Sequence, residues 1–209
     1  GRAGSDDGDG DRDGDGDAQT QPGSPSTSVR ARAAVLGSAI ASSGVVLAVA
    51  AVTLMLFAFQ GLTAFLTTYL VDVKDLDAGT AGLLFGVVFL AGAIAQSFGG
   101  GLADRWGHGR VLAVVAFLSV PPLVALPFVS GVLPLALVAA TLGIRLAVGP
   151  VTNAYIVGLL PIDVRGTAWG LLRTGFFTIG AFGSTLVGAM ADQALFAEAF
   201  FLLAGLTAV

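Results

Sequence analysis

Residues Val45–Val71 read VVLAVAAVTLMLFAFQGLTAFLTTYLV, an apolar stretch without a single charged side chain. An α-helix rises about 1.5 Å per residue, so about 20 apolar residues cross the roughly 30 Å hydrocarbon core of a bilayer. The stretch lacks the alternation of polar and apolar residues that a barrel strand requires. It therefore predicts a transmembrane helix, and it decides the class of fold.

Comparable stretches recur along the chain, separated by short polar turns. They are Gly79–Leu102, Val111–Val129, Pro134–Leu160 and Thr167–Met190, followed by a sixth that starts at about Phe196 and is cut by the chain end. We therefore expect an all-α membrane protein with six transmembrane helices, the last one truncated. The expected loops are 72–78, 103–110, 129–133, 161–166 and 191–195. Glycines four residues apart, such as Gly82 and Gly86, allow close approach of neighbouring helices, although glycine is also common in membrane helices generally.

The composition excludes a soluble fold. Hydrophobic residues make up 55% of the 209 residues and charged residues 11%, whereas soluble domains are about 25% charged. Cysteine is absent and His108 is the single histidine, which argues against thiol catalysis and against cysteine or multi-histidine metal sites. We expect no cofactor and no catalytic residues. The net charge of −4 comes mostly from the N-terminal tail, so it gives no indication of a nucleic-acid partner.

Residues 1–32 form an acidic tail rich in Asp and Gly, which holds seven of the fourteen acidic residues. Such a segment has little to bury, so we expect no regular structure up to about Arg30 and a disordered linker over 1–32. A calcium loop is the alternative reading of the Asp-Gly repeat, but its closing Glu is missing. The chain has no initiator Met and no signal-peptide pattern, and we interpret it as a fragment.

The basic residues indicate the orientation. If each apolar stretch crosses once, one side, here called the basic side, carries five arginines: Arg30, Arg32, Arg105, Arg110 and Arg165. The opposite or acidic side carries a single lysine and most acids of the turns: Asp72, Lys74, Asp75, Asp77, Asp192 and Glu198. Because short cytoplasmic loops are enriched in Lys and Arg, we expect a multi-pass protein of the cell membrane with a cytoplasmic N-terminal tail.

Two turns on the basic side resemble family motifs. Residues Gly100–Arg110 read GGLADRWGHGR, similar to the G-x-L-A-D-R-x-G-R-R/K loop of the major facilitator superfamily, although His108 and Gly109 depart from its two basic positions. Residues Leu160–Gly170 read LPIDVRGTAWG, which looks like the family's P-x-x-x-R-G-x-A-x-G segment.

Two helices add to this resemblance. Arg145 and Gly149 resemble the R-x-x-x-G pattern of the fourth helix, and Gly180, Gly183 and Gly188 the glycine-rich fifth helix. The resemblance implies that residues 33–209 form one six-helix half, whose partner is the other half of the same polypeptide. The run Phe65–Leu70 resembles the end of the family's seventh helix, which favours the C-terminal half.

The resemblance also implies secondary transport of a small solute across the bilayer by alternating access. The residues implied in the cytoplasmic gating loop are Gly100, Asp104, Arg105, Gly107, His108, Arg110, Asp163 and Arg165. We expect Asp163 to pair with Arg105, His108 or Arg110, and Asp104 to face a helix N-terminus in the other half. Because His108 stands at a basic position of the motif, we hypothesise that its titration biases the transport cycle.

Candidates for the transport pathway are polar side chains within the apolar stretches. Arg145 and Arg173 are the charges that lie deep in them, and a charge in lipid is costly enough to face a cavity or a partner. We expect Arg145 to point into the bundle, whereas Arg173 lies near enough to the basic side to snorkel. The remaining candidates are Gln60, Gln96, Asn153 and Tyr155, for each of which helix–helix hydrogen bonding is the alternative.

Two other functions are alternatives to transport. An intramembrane protease requires a G-x-S-G nucleophile and a histidine on a helix, and this chain has neither. A non-transporting membrane sensor or assembly subunit with the same fold stays open on the sequence alone.

Overall fold

The computed structural model describes residues 25–208, with side chains from residue 29, and its regular elements there are all helices. They are α1 Pro25–Ile40, α2 Ser43–Asp72, α3 Ala78–Trp106, α4 His108–Ala125, α5 Val132–Gly143, α6 Val148–Leu159, α7 Arg165–Ala191 and α8 Phe196–Ala208. The 3-10 turn Ile144–Ala147 joins α5 to α6, and Val132–Leu159 is called here the fourth span. Five helices are long and apolar enough to cross a membrane, namely α2, α3, α4, the fourth span and α7, while α8 is shorter. The predicted all-α membrane fold is confirmed.

The first helix begins earlier than the sequence predicted. Regular structure was expected only after about Arg30, but α1 begins at Pro25. A proline is tolerated at the first helical position because that residue donates no hydrogen bond within the helix. Residues 1–24 lie outside the described part, so the predicted disorder of the acidic tail stays a prediction.

The predicted loop 103–110 is wrong in extent. Helix α3 continues to Trp106 and α4 begins at His108, so only Gly107 interrupts the helical path. Gly107 has φ 87° and donates its N–H to the carbonyl of Ala103. A positive φ is easily reached only by glycine, which explains how one residue turns the chain between two helices.

The fourth span contains a break that the sequence analysis did not predict. The 3-10 turn Ile144–Ala147 ends where the Val148 N–H donates to the carbonyl of Arg145. Pro150 lies four residues after Leu146 and has no N–H to give to the Leu146 carbonyl, so the regular α-helical bond is missing there. The signal for this break was therefore present in the sequence.

Glycines bring two pairs of helices into backbone contact. Between α2 and α7, a Cβ on Gly61 would lie 2.9 Å from the Gly183 carbonyl oxygen. Between α3 and the fourth span, a Cβ on Gly92 would lie 3.0 Å from the Gly143 carbonyl oxygen. Gly82 and Gly86 have open space around them within the described residues. Both lie on the outer face of α3, so the close approach does not occur between the described helices.

Two side chains, one on α2 and one in the turn after it, donate hydrogen bonds to backbone carbonyls at the end of α4, on the acidic side. The Tyr69 hydroxyl donates to the Leu126 carbonyl at 3.3 Å, and Lys74 Nζ donates to the Pro127 carbonyl at 2.8 Å. The last carbonyls of a helix have no partners within it, so these contacts replace the missing donors. Partial burial of Lys74 lowers the pKa of its ammonium.

Candidate functional site

A cavity of about 260 Å³ lies between α2, the fourth span and α7. Its polar lining consists of Arg145, Thr152, Asn153 and Arg173, and its aromatic lining of Phe59, Phe176 and Phe177. The glycine contact between α2 and α7 holds two walls of this cavity together. The third wall is the interrupted part of the fourth span.

Arg145 is buried at the inner end of the cavity, with 4% of its surface exposed. Its Nη1 donates to Thr207 Oγ1 on α8 at 3.0 Å, and its Nη2 donates to the Met55 carbonyl on α2 at 2.9 Å. The prediction that Arg145 points into the bundle is confirmed. Arg145 lies in the 3-10 turn, so the break in the fourth span determines where its guanidinium group lies.

Two buried polar atoms in this region have no hydrogen-bond partner. They are Arg145 Nε and Thr152 Oγ1, and they are the two such side-chain atoms in the part of the chain that the structure describes. Both residues line the cavity. A buried donor without a partner costs roughly 1–3 kcal/mol, so this cavity concentrates unsatisfied hydrogen-bonding capacity.

Arg173 and Asn153 lie at the exposed rim of the same cavity. The Arg173 guanidinium carbon is 5.5 Å from the centre of the Phe177 ring, a cation–π contact. The fold thus brings together Arg145, Asn153 and Arg173, three of the six pathway residues predicted from the sequence.

The other three pathway candidates lie elsewhere. Gln60 is half-buried on α2, Gln96 is exposed on α3, and Tyr155 contacts His108. Thr152 was missed, although it lies seven residues after Arg145 and thus on the same helical face. Thr207 could not have been found from local sequence, because it lies 62 residues from Arg145.

The gating-loop residues do not form the expected ion pair in this structure. His108 is half-buried and stacks on Tyr155, with ring centres 6.2 Å apart and planes 23° apart. Arg165 donates from Nε and Nη2 to the Leu160 carbonyl at 3.3 and 3.2 Å. Asp163 is exposed in the turn before α7.

The predicted pair of Asp163 with the loop is wrong for this structure. Between residues 29 and 208, the Asp163 carboxylate has no salt bridge within 4.0 Å to Arg105, His108 or Arg110. The reason is local: Asp163 points to solvent, and the His108 ring is turned towards α6. Asp104, Arg105 and Arg110 are likewise exposed, and Gly100 has open space around it.

These features define a multi-pass helical membrane protein with a pocket that is lined by three spans and contains a buried arginine. The chain belongs to the Major Facilitator Superfamily, whose sequence profile matches residues 11–149 and 49–209. No solved structure matches the chain.

Curated relatives are named as multidrug resistance proteins or as an MFS-type transporter. "Multidrug resistance protein MdtG" of Rahnella sp. (strain Y9602) is 33% identical over 124 residues, covering 59% of this chain and 30% of that protein. "Uncharacterized MFS-type transporter YfnC" of Bacillus subtilis (strain 168) is 33% identical over 130 residues, covering 62% of this chain and 32% of that protein. The matched part of this chain spans about a third of the length of these relatives.

Proposed function

We propose that this chain is one six-helix half of a secondary transporter that moves a small solute across the cell membrane by alternating access. The observation that carries the proposal is the buried Arg145 in a cavity between three spans. A charge at this depth is costly and marks a solute or ion pathway in membrane proteins. Alternating access places such a site near the midplane, between the two halves.

The proposed activity is that of a carrier and not of an enzyme. The names of the relatives, multidrug resistance proteins among them, support solutes of drug-like size. We place the chain in the C-terminal half, because a polar segment precedes its helices and the run Phe65–Leu70 resembles the end of the family's seventh helix. Sequencing upstream tests this placement, since a second six-helix pattern must precede residue 1 if it is correct.

We also propose that the basic side, with Gly107 and Asp163, faces the cytoplasm. The arginine excess of its turns supports this orientation. This chain has no cysteine, so single-cysteine variants at exposed positions are selective probes in a full-length protein whose other half is also free of cysteine. In intact cells, a membrane-impermeant maleimide should label Gln193→Cys and not Gly109→Cys; the reverse labelling pattern rejects the orientation.

Transport itself is tested with the full-length protein in proteoliposomes. Accumulation of a panel of labelled anionic, neutral and cationic solutes is compared with empty vesicles, with and without ion gradients. At least one solute should accumulate, and Arg145→Ala should impair this while membrane insertion is preserved. Arg32→Ala, an exposed residue of α1, is the control and should behave as wild type. No accumulation of any solute in the panel rejects the function, and normal transport kinetics in Arg145→Ala reject a role for Arg145.

A further inference from the structure

The cavity is positively charged and has no acid near it in the described part of the chain. Arg145 and Arg173 both line it. The acidic residues between positions 29 and 208 lie in turns or within one turn of a helix end: Asp72, Asp75, Asp77, Asp104, Asp163, Asp192 and Glu198. The acceptors that Arg145 contacts, the Thr207 hydroxyl and the Met55 carbonyl, are neutral. The guanidinium charge is therefore not compensated within these residues.

The remaining donors of Arg145 indicate what would compensate it. A guanidinium carries five N–H donors, and two of those of Arg145 are used in the bonds above. Arg145 Nε and Thr152 Oγ1 have no partner within the described residues, but both are shielded by protein atoms. A guanidinium binds planar carboxylate and phosphate groups well because its donors form a fixed fork. An acceptor group that bears a negative charge would compensate the charge of Arg145 and accept hydrogen bonds from the remaining guanidinium donors.

The rest of the wall is apolar. Phe59, Phe176 and Phe177 line the cavity together with Val52 and Leu56. A small hydrophilic anion would leave these side chains without a partner, whereas an aromatic or aliphatic body would pack on them. Arg173, which lies over the Phe177 ring at the rim, adds a second positive charge on the way in.

We propose that this cavity binds amphiphilic organic anions, with the anionic group held by Arg145 and Thr152 and the apolar body packed on Phe59 and Phe176. The inference rests on the proposed function, because a transport site is one that opens to a solute. It goes beyond that function by naming the chemical class of the solute.

Three probes with the same aromatic body test the charge preference: 1-naphthoate, the neutral 1-naphthamide and the cation 1-naphthylmethylammonium. Their binding to the purified full-length protein is measured by isothermal titration calorimetry. Because charge-assisted hydrogen bonds are the stronger ones, 1-naphthoate should bind about tenfold more tightly than 1-naphthamide, and the cation more weakly still. Binding of the amide or the cation as tight as that of 1-naphthoate overturns the proposal.

Variants assign the preference to this cavity. Arg145→Gln should abolish the advantage of 1-naphthoate over 1-naphthamide, and Arg145→Lys should retain part of it because the charge stays while the fork is lost. Arg173→Gln, at an exposed position where folding is not at risk, should reduce the advantage severalfold. Arg32→Gln is the control, because it removes the same charge at a position outside the cavity. An unaltered preference in Arg145→Gln and in Arg173→Gln overturns the proposal, and Arg173→Gln alone decides if Arg145→Gln does not fold.

The proposed transport function and the proposed anion site can be rejected independently of each other. Accumulation of a cationic or neutral solute in vesicles, without preferential binding of 1-naphthoate, retains transport and rejects the anion site. Preferential binding of 1-naphthoate that depends on Arg145, without accumulation of any solute, retains the anion site and rejects transport.

Discussion

Gly61 of α2 and Gly183 of α7 face each other so closely that a Cβ on Gly183 would overlap the carbonyl oxygen of Phe57. The two backbones can approach this far only because neither residue has a side chain. The contact sets the distance between the α2 wall of the cavity, with Phe59, and the α7 wall, with Phe176. The glycine-rich pattern of α7 is thus tied to the shape of the site.

Gly183→Ala should destabilise the full-length protein by about 1–3 kcal/mol, because the added methyl group meets backbone and the helices must separate. Gly175→Ala is the matched control on the same helix, with open space around it, and should melt at or slightly above the wild-type temperature. Thermal unfolding in detergent measures both. Equal melting of the two variants would contradict the close contact.

Thr207→Val should weaken the protein by about 1 kcal/mol, because it removes the acceptor of Arg145 Nη1 and leaves a further buried donor unpaired. The control is Thr141→Val, since the Thr141 hydroxyl is exposed and bonds only to carbonyls of its own helix. Thermal unfolding again distinguishes them. If the Thr141 variant loses as much stability as the Thr207 variant, the link between α8 and the 3-10 turn contributes nothing.

Asp77 is expected to stabilise the start of α3 in a pH-dependent way. Its carboxylate accepts a hydrogen bond from the Thr80 N–H at 3.0 Å, and the bonds with Thr80 lower the pKa of Asp77 below its usual value. A lowered pKa means that the folded state favours the ionised form. This stabilisation is complete above the unfolded-state pKa of about 3.9 and is lost as the pH falls through the folded-state pKa.

The measurement is the melting temperature between pH 7 and pH 3. Asp77→Ala should melt below the wild type at pH 7, and the difference should shrink towards pH 3. Asp77→Asn keeps a capping side chain that does not titrate, so it should match the wild type at pH 7. A constant difference between wild type and Asp77→Ala across this range would refute the titrating cap.

His108 and Tyr155 should be energetically coupled through their stacked rings. In a double-mutant cycle with His108→Ala and Tyr155→Leu, the coupling in unfolding free energy should be about 0.5–1.5 kcal/mol. Additive effects of the two ring variants would show that the stack contributes nothing.

Asp163→Asn should leave the free energy of unfolding within about 0.5 kcal/mol of the wild type, because the side chain is exposed and unpaired in this structure.

We also hypothesise that His108 acts as a pH switch in the transport cycle. Its neighbour in the structure is Tyr155 and not Asp163. His108→Arg should flatten any pH dependence of transport that depends on this side chain, because arginine stays charged throughout the physiological range. Identical pH profiles in His108→Arg and the wild type would reduce His108 to a structural contact.

The sequence by itself determined the membrane class, the number of apolar spans and most of their bounds. These are local properties. A span needs a certain length of apolar residues, and the stretch Val45–Val71 meets this requirement independently of the rest of the chain. The one-residue turn at Gly107 and the break before Pro150 also depend on the local sequence. The first was predicted as a longer loop, and the second was not predicted. The position of Arg145 in an apolar stretch was enough to predict that it points inward.

Only the tertiary structure decided which side chains meet. Whether Arg145 contacts Thr207, and whether His108 turns to Tyr155 or to Asp163, depends on how each helix is rotated and crossed against its neighbours. Rotation and crossing are set by contacts between distant residues, such as Gly61 with Gly183 and Gly92 with Gly143. A hydropathy pattern contains no such information, because every face of these helices is apolar and hydrophobicity alone does not select one face for the interior.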